Sequence, residues 1–328
     1  LDEIVYDIIK ASHADTEAPR ASGISRLSIR ERMYMAIFRL KPKNDFVFGR
    51  LFGAKESKAS LIALLNAILR SGDQEPIVDL TVVENRQLEK LTFDEKTGSL
   101  DVRAELAGGE QVNIEMQMVN RRNMVHRTLF YMSKLFITSI RAGDNYAQLK
   151  KTIVINLLDY ELLGTERFHN TFHFYEDHER NFRLTDLLEV HIIEFPKFER
   201  AAKDISEPLH RWLMFMDEKL PEERLKELIK MDPMIEVTEE QLEGMSRDEF
   251  MRRVAEMREK AQMDWVSSIE GAKQEGKIEG KIEGKVEGQT EIVLKMLEKG
   301  MKPAQVSELL DIPIDKVNRI HEESNARQ

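Results

Sequence analysis

The segment Ser99-Leu100-Asp101-Val102-Arg103-Ala104-Glu105 and its partner Val112-Asn113-Ile114-Glu115-Met116-Gln117-Met118 decide the fold. Both alternate polar with apolar residues, the pattern of a half-buried strand. Ala107-Gly108-Gly109 between them supplies a hairpin turn. A two-residue loop on the glycines would set Asp101 opposite Met116 and mix the two faces. A three-residue loop pairs Leu100 with Met116, Val102 with Ile114 and Ala104 with Val112. It also sets Asp101 opposite Glu115, with Gln117 beside them. A slip of one residue moves every side chain to the wrong face, so the second register is expected.

In that register two carboxylates stand ~5 Å apart on one sheet face. Left alone they repel, which raises the pKa of one. A hard divalent cation relieves the repulsion, because Mg²⁺ accepts carboxylate, water and phosphate oxygens, and the Met116 backbone carbonyl offers one more oxygen. Such a cation lowers the pKa of a bound water and neutralises charge on a phosphate. The same spacing also describes two solvent-facing acids on an amphipathic hairpin, and two residues alone do not separate these readings.

Outward from the hairpin, Asn44 or Asp45 caps a short helix carrying Phe46, Val47, Phe48 and Leu51. A second helix over Lys58 to Leu69 places Leu61, Leu64, Leu65 and Ile68 on one face. Strands are expected over Ile77 to Val83, Lys151 to Leu158 and His191 to Phe195, and an amphipathic helix over Met124 to Ile140. The order gives a mixed α/β core rather than a regular βαβ repeat. On that helix Arg127, Tyr131 and Lys134 share a face. With Arg121 and Arg122 they read either as a phosphate-contacting stripe or as a solvated face opposite a Val125, Leu129, Met132 and Phe136 core stripe. Asp45 could add an acid near the metal or serve its helix as a cap.

Five segments are expected: an extension over 1–38, an α/β domain over 39–200, a charged helical region over 201–270, a repeat over 271–290 and a small helical unit over 291–328. The repeat Glu275-Gly276-Lys277-Ile278, continued to Glu287-Gly288, aligns like charges at i and i+4. Each internal Gly costs roughly 1 kcal/mol relative to Ala. The segment therefore reads as a helix completed by a second helix across its Gly/Ile stripe, or as a charged linker. Beyond it, Gly300, Pro303 and Pro313 mark the boundaries of three short helices. These resemble a helix-turn-helix without a strongly basic face, which suits packing or oligomerisation as well as DNA reading.

The chain has no cysteine, which excludes disulfides, cysteine-ligated zinc and thiol catalysis. It also shows no P-loop, dinucleotide-binding glycine pattern or nucleophile elbow. His169, His173 and His178 lack the Glu of a metalloprotease motif and read as solvated or structural. No apolar run approaches the ~20 residues that cross a bilayer, and the N-terminal residues lack the positive start of a signal peptide, so the expected compartment is the cytoplasm. The net charge of −10 argues against nucleic acid as a partner. Lys41 to Lys150 is nonetheless close to balanced, and metal-binding carboxylates count as acid until their cations bind.

Asn44-Asp45-Phe46-Val47-Phe48, Leu51-Phe52-Gly53 and Leu64-Leu65-Asn66-Ala67-Ile68-Leu69 resemble the N-terminal helices of the recombination-promoting nuclease (Rpn) and putative-transposase family. Leu100-Asp101-Val102 and Asn113-Ile114-Glu115-Met116-Gln117 resemble its catalytic strands. Arg127 with Phe130-Tyr131, Gly143-Asp144-Asn145-Tyr146 and Glu194-Phe195-Pro196-Lys197-Phe198 follow in the family's order, from Lys41 to Phe198. The resemblance implies a PD-(D/E)XK restriction-endonuclease-like core, a mixed sheet flanked by helices, with a helical C-terminal extension. It implies a DNA endonuclease using Mg²⁺ or Mn²⁺, with Asp101 and Glu115 on the metal and Gln117 in the place of the superfamily's lysine. A neutral amide there can orient water but supplies no positive charge. A homodimer or larger assembly is expected, because two cuts need two sites.

Overall fold

The computed structural model describes residues 39–69, 75–83, 102–179 and 181–325. Expectations for residues 1–38 and for Leu100 and Asp101 lie outside these.

The chain enters through two helices, α1 (Asp45–Gly53) and α2 (Lys58–Leu69). Asn44 caps α1, its side-chain oxygen accepting the Phe46 and Val47 N–H groups at 3.1 and 3.3 Å. That satisfies two of the donors that a helix start leaves open. The apolar faces of both helices are shut from water: Val47, Phe48, Leu51, Phe52, Leu61, Leu64 and Leu65 are all 0% exposed. Each such side chain contributes about 1.5–3 kcal/mol through burial. The Asn66 amide then holds the incoming chain, donating to the Ile77 carbonyl at 2.9 Å and accepting the Ile77 N–H at 2.7 Å.

A six-stranded sheet follows: β1 (Leu80–Val83), β2 (Val102–Leu106), β3 (Gln111–Gln117), β4 (Thr152–Leu158), β5 (His169–Tyr175) and β6 (Arg183–Glu194), in spatial order β1-β2-β3-β4-β6-β5. The β1–β2, β2–β3 and β5–β6 pairs are antiparallel, while β3–β4 and β4–β6 are parallel. The expected hairpin register holds where it is described, with Val102 opposite Ile114 and Ala104 opposite Val112. The turn is the three-residue one: Gly109 N–H donates to the Leu106 carbonyl, and Leu106 N–H donates to that of Glu110. Gly109 takes φ +87°, a conformation that glycine adopts without steric cost.

Helix α3 (Met124–Thr138) joins β3 to β4 across one sheet face. Its orientation corrects the expected core stripe. Met124, Thr128 and Met132 are buried, whereas Val125 and Leu129 are 48% and 49% exposed. The sheet explains this, because the face beneath α3 carries Glu115 and Asn156, both buried. The Thr128 hydroxyl donates to the Met124 carbonyl at 2.9 Å and lies 3.3 Å from Asn156 Oδ1. Polar groups taken from water need such partners, which aliphatic side chains cannot supply.

Two further strands depart from expectation. His169–Tyr175 forms the edge strand β5, and β6 starts eight residues before His191 and ends at Glu194. Phe195 instead opens helix α4 (Phe195–Arg200), whose second residue is Pro196. Helices α5 (Pro208–Phe215), α6 (Glu222–Met231) and α7 (Pro233–Arg247) follow. They share the core beneath the other sheet face: Trp212 lies edge-on to Phe52 at 5.9 Å, and Leu228, Ile235 and Leu242 join the same cluster. Arg39 pairs both guanidinium arms with Glu239 at 2.9 and 2.7 Å, fastening the start of the described chain to α7.

The chain divides into two compact units, residues 1–258 and 259–328. Helix α8 (Glu249–Glu298) begins in the first and continues through the Glu-Gly-Lys repeat as helix. In the second unit, α9 (Pro303–Leu310) and α10 (Ile314–Asn325) pack on the end of α8 around Val293, Val306, Ile312, Val317 and Ile320. Asp311, at φ +51°, makes the turn between α9 and α10. None of the helices among the described residues is long and apolar enough to cross a membrane.

Candidate active site

Strand β3 presents its odd-numbered side chains to the α3 side of the sheet, which puts Asn113, Glu115 and Gln117 on one face. Glu115 is 1% exposed, and its neighbour across the parallel ladder is Asn156. Its Oε1 receives a close charge-assisted hydrogen bond from Arg127 Nη2 on the first turn of α3. Arg127 is therefore turned inward, with its guanidinium 5.7 Å from the Tyr131 ring centroid. Tyr131 is half-buried, whereas Lys134, Arg121 and Arg122 lie at the surface. The expected stripe thus divides, its first two members standing over the sheet and its third facing solvent.

Gln117 is half-buried at the end of β3, and its backbone carbonyl accepts the Asp159 N–H at 3.0 Å. That bond fixes the loop after β4, which brings in Tyr160. The Tyr160 hydroxyl is buried without a hydrogen bond among the described residues. Burial, reinforced by the negative charge of Glu115, pushes its pKa up to about 12, so the phenol stays neutral. Asn113, 0% exposed, likewise leaves both side-chain polar atoms unbonded among the described residues. The sequence reading missed both residues. The signal for Asn113 was its two-residue spacing from Glu115, whereas nothing local marked Tyr160.

Asp45 stands apart from Glu115 in its contacts. Asn44 is the cap, while Asp45 Oδ1 accepts the Phe46 N–H at 2.7 Å and Oδ2 lies 3.9 Å from Arg258. Burial raises the Asp45 carboxyl above its usual range, against the pull of Arg258 and Arg121.

Among the described residues, no three acidic or histidine side chains converge to hold a metal. Asp101, the expected second donor, lies outside them. Glu115 is a carboxylate withdrawn from water that the fold balances with positive charge. Oxygen donors of this kind suit a hard divalent cation.

The histidines form a separate chain on the opposite sheet face. His169 and His191 rings meet at 2.8 Å between Nε2 and Nδ1, and His191 Nε2 lies 2.6 Å from Glu189 Oε1. Lys151 closes the set on Glu189 at 2.5 Å. Burial and the neighbouring His191 bring His169 down to about 4. Burial opposes ionisation of Glu189, but the bonds from His191 and Lys151 outweigh it and hold that carboxyl at about 2.

Comparison with curated proteins and with solved structures gives no match. Residues 42–272, well over half the chain, match the family described as PD-(D/E)XK nuclease family transposase. The family supports a nuclease or transposase-like function, implies DNA as substrate, and typically uses divalent metals. With its mixed sheet flanked by helices and the matched stretch spanning β1 to β6, this chain belongs to the PD-(D/E)XK nuclease family transposases.

Proposed function

We propose that the protein is a Mg²⁺-dependent DNA endonuclease of the cytoplasm, with Mn²⁺ as an alternative cation, acting as a homodimer or larger assembly. The observation that carries this reading is the Glu115 carboxylate, buried on the α3 face of β3, balanced by a guanidinium and followed two residues later by Gln117. Glu115 and Asp101 would hold the cation, with the Met116 carbonyl as a further oxygen. When bound, such a cation would supply activation of the attacking water and neutralisation of charge on the scissile phosphate.

The chain's own residues do the rest. Gln117 orients the attacking water through its amide, which can both donate and accept. Arg127 and Tyr131 face the same region from α3, and Arg121, Arg122 and Lys134 offer surface charge to the phosphate backbone. Tyr160, neutral and buried, excludes water beside Glu115. Asp45 serves α1 and its ion pair with Arg258. Strand cleavage in this scheme requires no strand transfer; a role in recombination would follow from the break itself.

Supercoiled-plasmid cleavage in Mg²⁺, Mn²⁺, Ca²⁺ and EDTA tests the proposal, with Asp101→Ala and Glu115→Ala as variants. Nicking that requires Mg²⁺ or Mn²⁺ and vanishes in both variants is the expected result. Activity that survives in the variants removes these residues from the site. Intact plasmid with DNA still bound would turn the reading to a non-catalytic DNA-binding protein on the nuclease fold.

A further inference from the structure

Arg127 holds an oxygen of the Glu115 carboxylate, the group that a cation would need. Glu115 comes from the middle of the sheet and is 1% exposed, so its charge cannot be left to water. A partner that the fold provides is the guanidinium of Arg127, a residue twelve positions later on a different element and 20% exposed. A divalent cation bound to Glu115 would stand within a few ångströms of that guanidinium, and like charges so close in a low-dielectric setting repel strongly. The two therefore compete for the carboxylate.

We infer that Arg127 is the resident counter-ion of Glu115 in the cation-free protein, and that cation binding releases it to a phosphate of the nucleic acid. The inference rests on the reading of Glu115 as a metal-binding carboxylate. Its side-chain length allows the exchange: Arg127 lies at the fourth position of α3, anchored by its N–H to the Asn123 carbonyl at 2.9 Å, so the guanidinium can turn outward without moving the helix. The ring of Tyr131, 5.7 Å from the guanidinium carbon, gives that motion an aromatic surface to follow. Arg121 and Arg122, exposed in the loop before α3, extend the positive surface on the outward side. A guanidinium is suited to either task, because its planar fork matches carboxylate and phosphate alike. The exchange makes cation and DNA cooperative: each weakens the hold of Arg127 on Glu115 that the other must also overcome.

Calorimetric titration of the cation-free full chain with Mn²⁺ tests this in the wild type, Arg127→Met, Arg127→Lys and Glu115→Gln. Arg127→Met is expected to bind Mn²⁺ about tenfold more tightly than wild type, and Arg127→Lys to stay close to wild type. Glu115→Gln is expected to abolish the site. Binding of a short duplex gives the second measurement. Without cation, wild type and Arg127→Met should bind it equally, since Arg127 is engaged on Glu115. In Ca²⁺, Arg127→Met should bind about tenfold more weakly.

Unchanged or weakened Mn²⁺ affinity in a folded Arg127→Met protein would overturn the counter-ion assignment while leaving Glu115 as a ligand. Wild-type protein with no Glu115-dependent Mn²⁺ binding would overturn both readings. Should Arg127→Met not fold, Arg127→Gln, which keeps a hydrogen bond to Glu115, carries the same expectations.

Discussion

Two buried glutamates, Glu115 and Glu194, lie at 1% and 0% exposure in neighbouring parts of the same sheet, and both meet a basic side chain. Their surroundings differ. Glu194 ends β6 and pairs at 2.5 Å with Lys197, three residues on and 3% exposed. Its other oxygen accepts the N–H groups of Leu162 and Leu163 at 2.6 and 3.0 Å, and Lys197 also donates to the Leu163 carbonyl at 2.8 Å. Every partner is local or backbone, so the pair locks the loop after β4 to the start of α4. Glu115 meets a residue on a separate helix that keeps a path to solvent. One charge is saturated by its own neighbourhood, and the other is held by a partner that can leave. A buried ion pair alone does not indicate function; the freedom of its partner does.

The sharpest break of this comparison is Glu115→Gln. It should lower plasmid cleavage by on the order of 10³-fold, through loss of charge stabilisation at the phosphate, while the melting midpoint moves little. A large loss of stability with retained cleavage per folded molecule would reverse the roles assigned to the two glutamates.

Next in size is Lys197→Met, which strands the Glu194 carboxylate in the interior and should cost about 3–5 kcal/mol in urea denaturation. Arg127→Met should cost less, about 1–2 kcal/mol, because Arg127, at 20% exposure, itself lies nearer solvent than Lys197. Added Mn²⁺ should restore the Arg127→Met protein and leave the Lys197→Met protein as unstable as before. Equal rescue of both would erase the distinction.

The chain of Glu189, His191 and His169 offers an intermediate case. His169 titrates near 4 in the fold against an ordinary 6.5, so the unfolded chain binds its proton first. Its contribution is complete above about pH 6.5 and is lost as the pH falls towards 4. The unfolding free energy of the wild type should fall across that window by roughly 2 kcal/mol more than that of His169→Gln. Parallel pH profiles would show that burial of this imidazole has no energetic consequence. The smallest effect is expected at the surface, where Arg200 and Glu161 pair at 2.8 Å with 60% and 48% of their side chains exposed. Arg200→Ala should leave the midpoint unchanged, since solvent screens such a pair.

Much of the fold was legible because its signals are local. Alternation in Val102 to Leu106 and Gln111 to Gln117 places both strands, and the demand that Val102, Ala104, Val112 and Ile114 share a face selects the register. Asn44 caps α1 as its residue type suggests. The largely apolar run of Thr152–Leu158 is the fully buried central strand that its composition implies. The misjudged face of α3 shows the limit. Val125, Leu129, Met132 and Phe136 form a reasonable apolar stripe, yet the helix buries Met124, Thr128 and Met132. A periodicity argument assumes an apolar surface to pack against, and this one carries Glu115 and Asn156.

By itself, then, the sequence determined most of the elements and the hairpin register, because these depend on spacing along a few residues, while the candidacy of Glu115 and Gln117 came from the family resemblance. Tertiary structure alone decided that Arg127 faces Glu115, that Tyr160 lies beside them, and that Glu194 is bound by Lys197 and two N–H groups of the loop after β4. It also decided that His169 reaches His191 from a neighbouring strand. Apart from the Glu194–Lys197 pair, which is local, these are pairings between different elements. Their physical cause is the need of each buried charge or polar atom for a partner, which only the packed arrangement of strands and helices can supply.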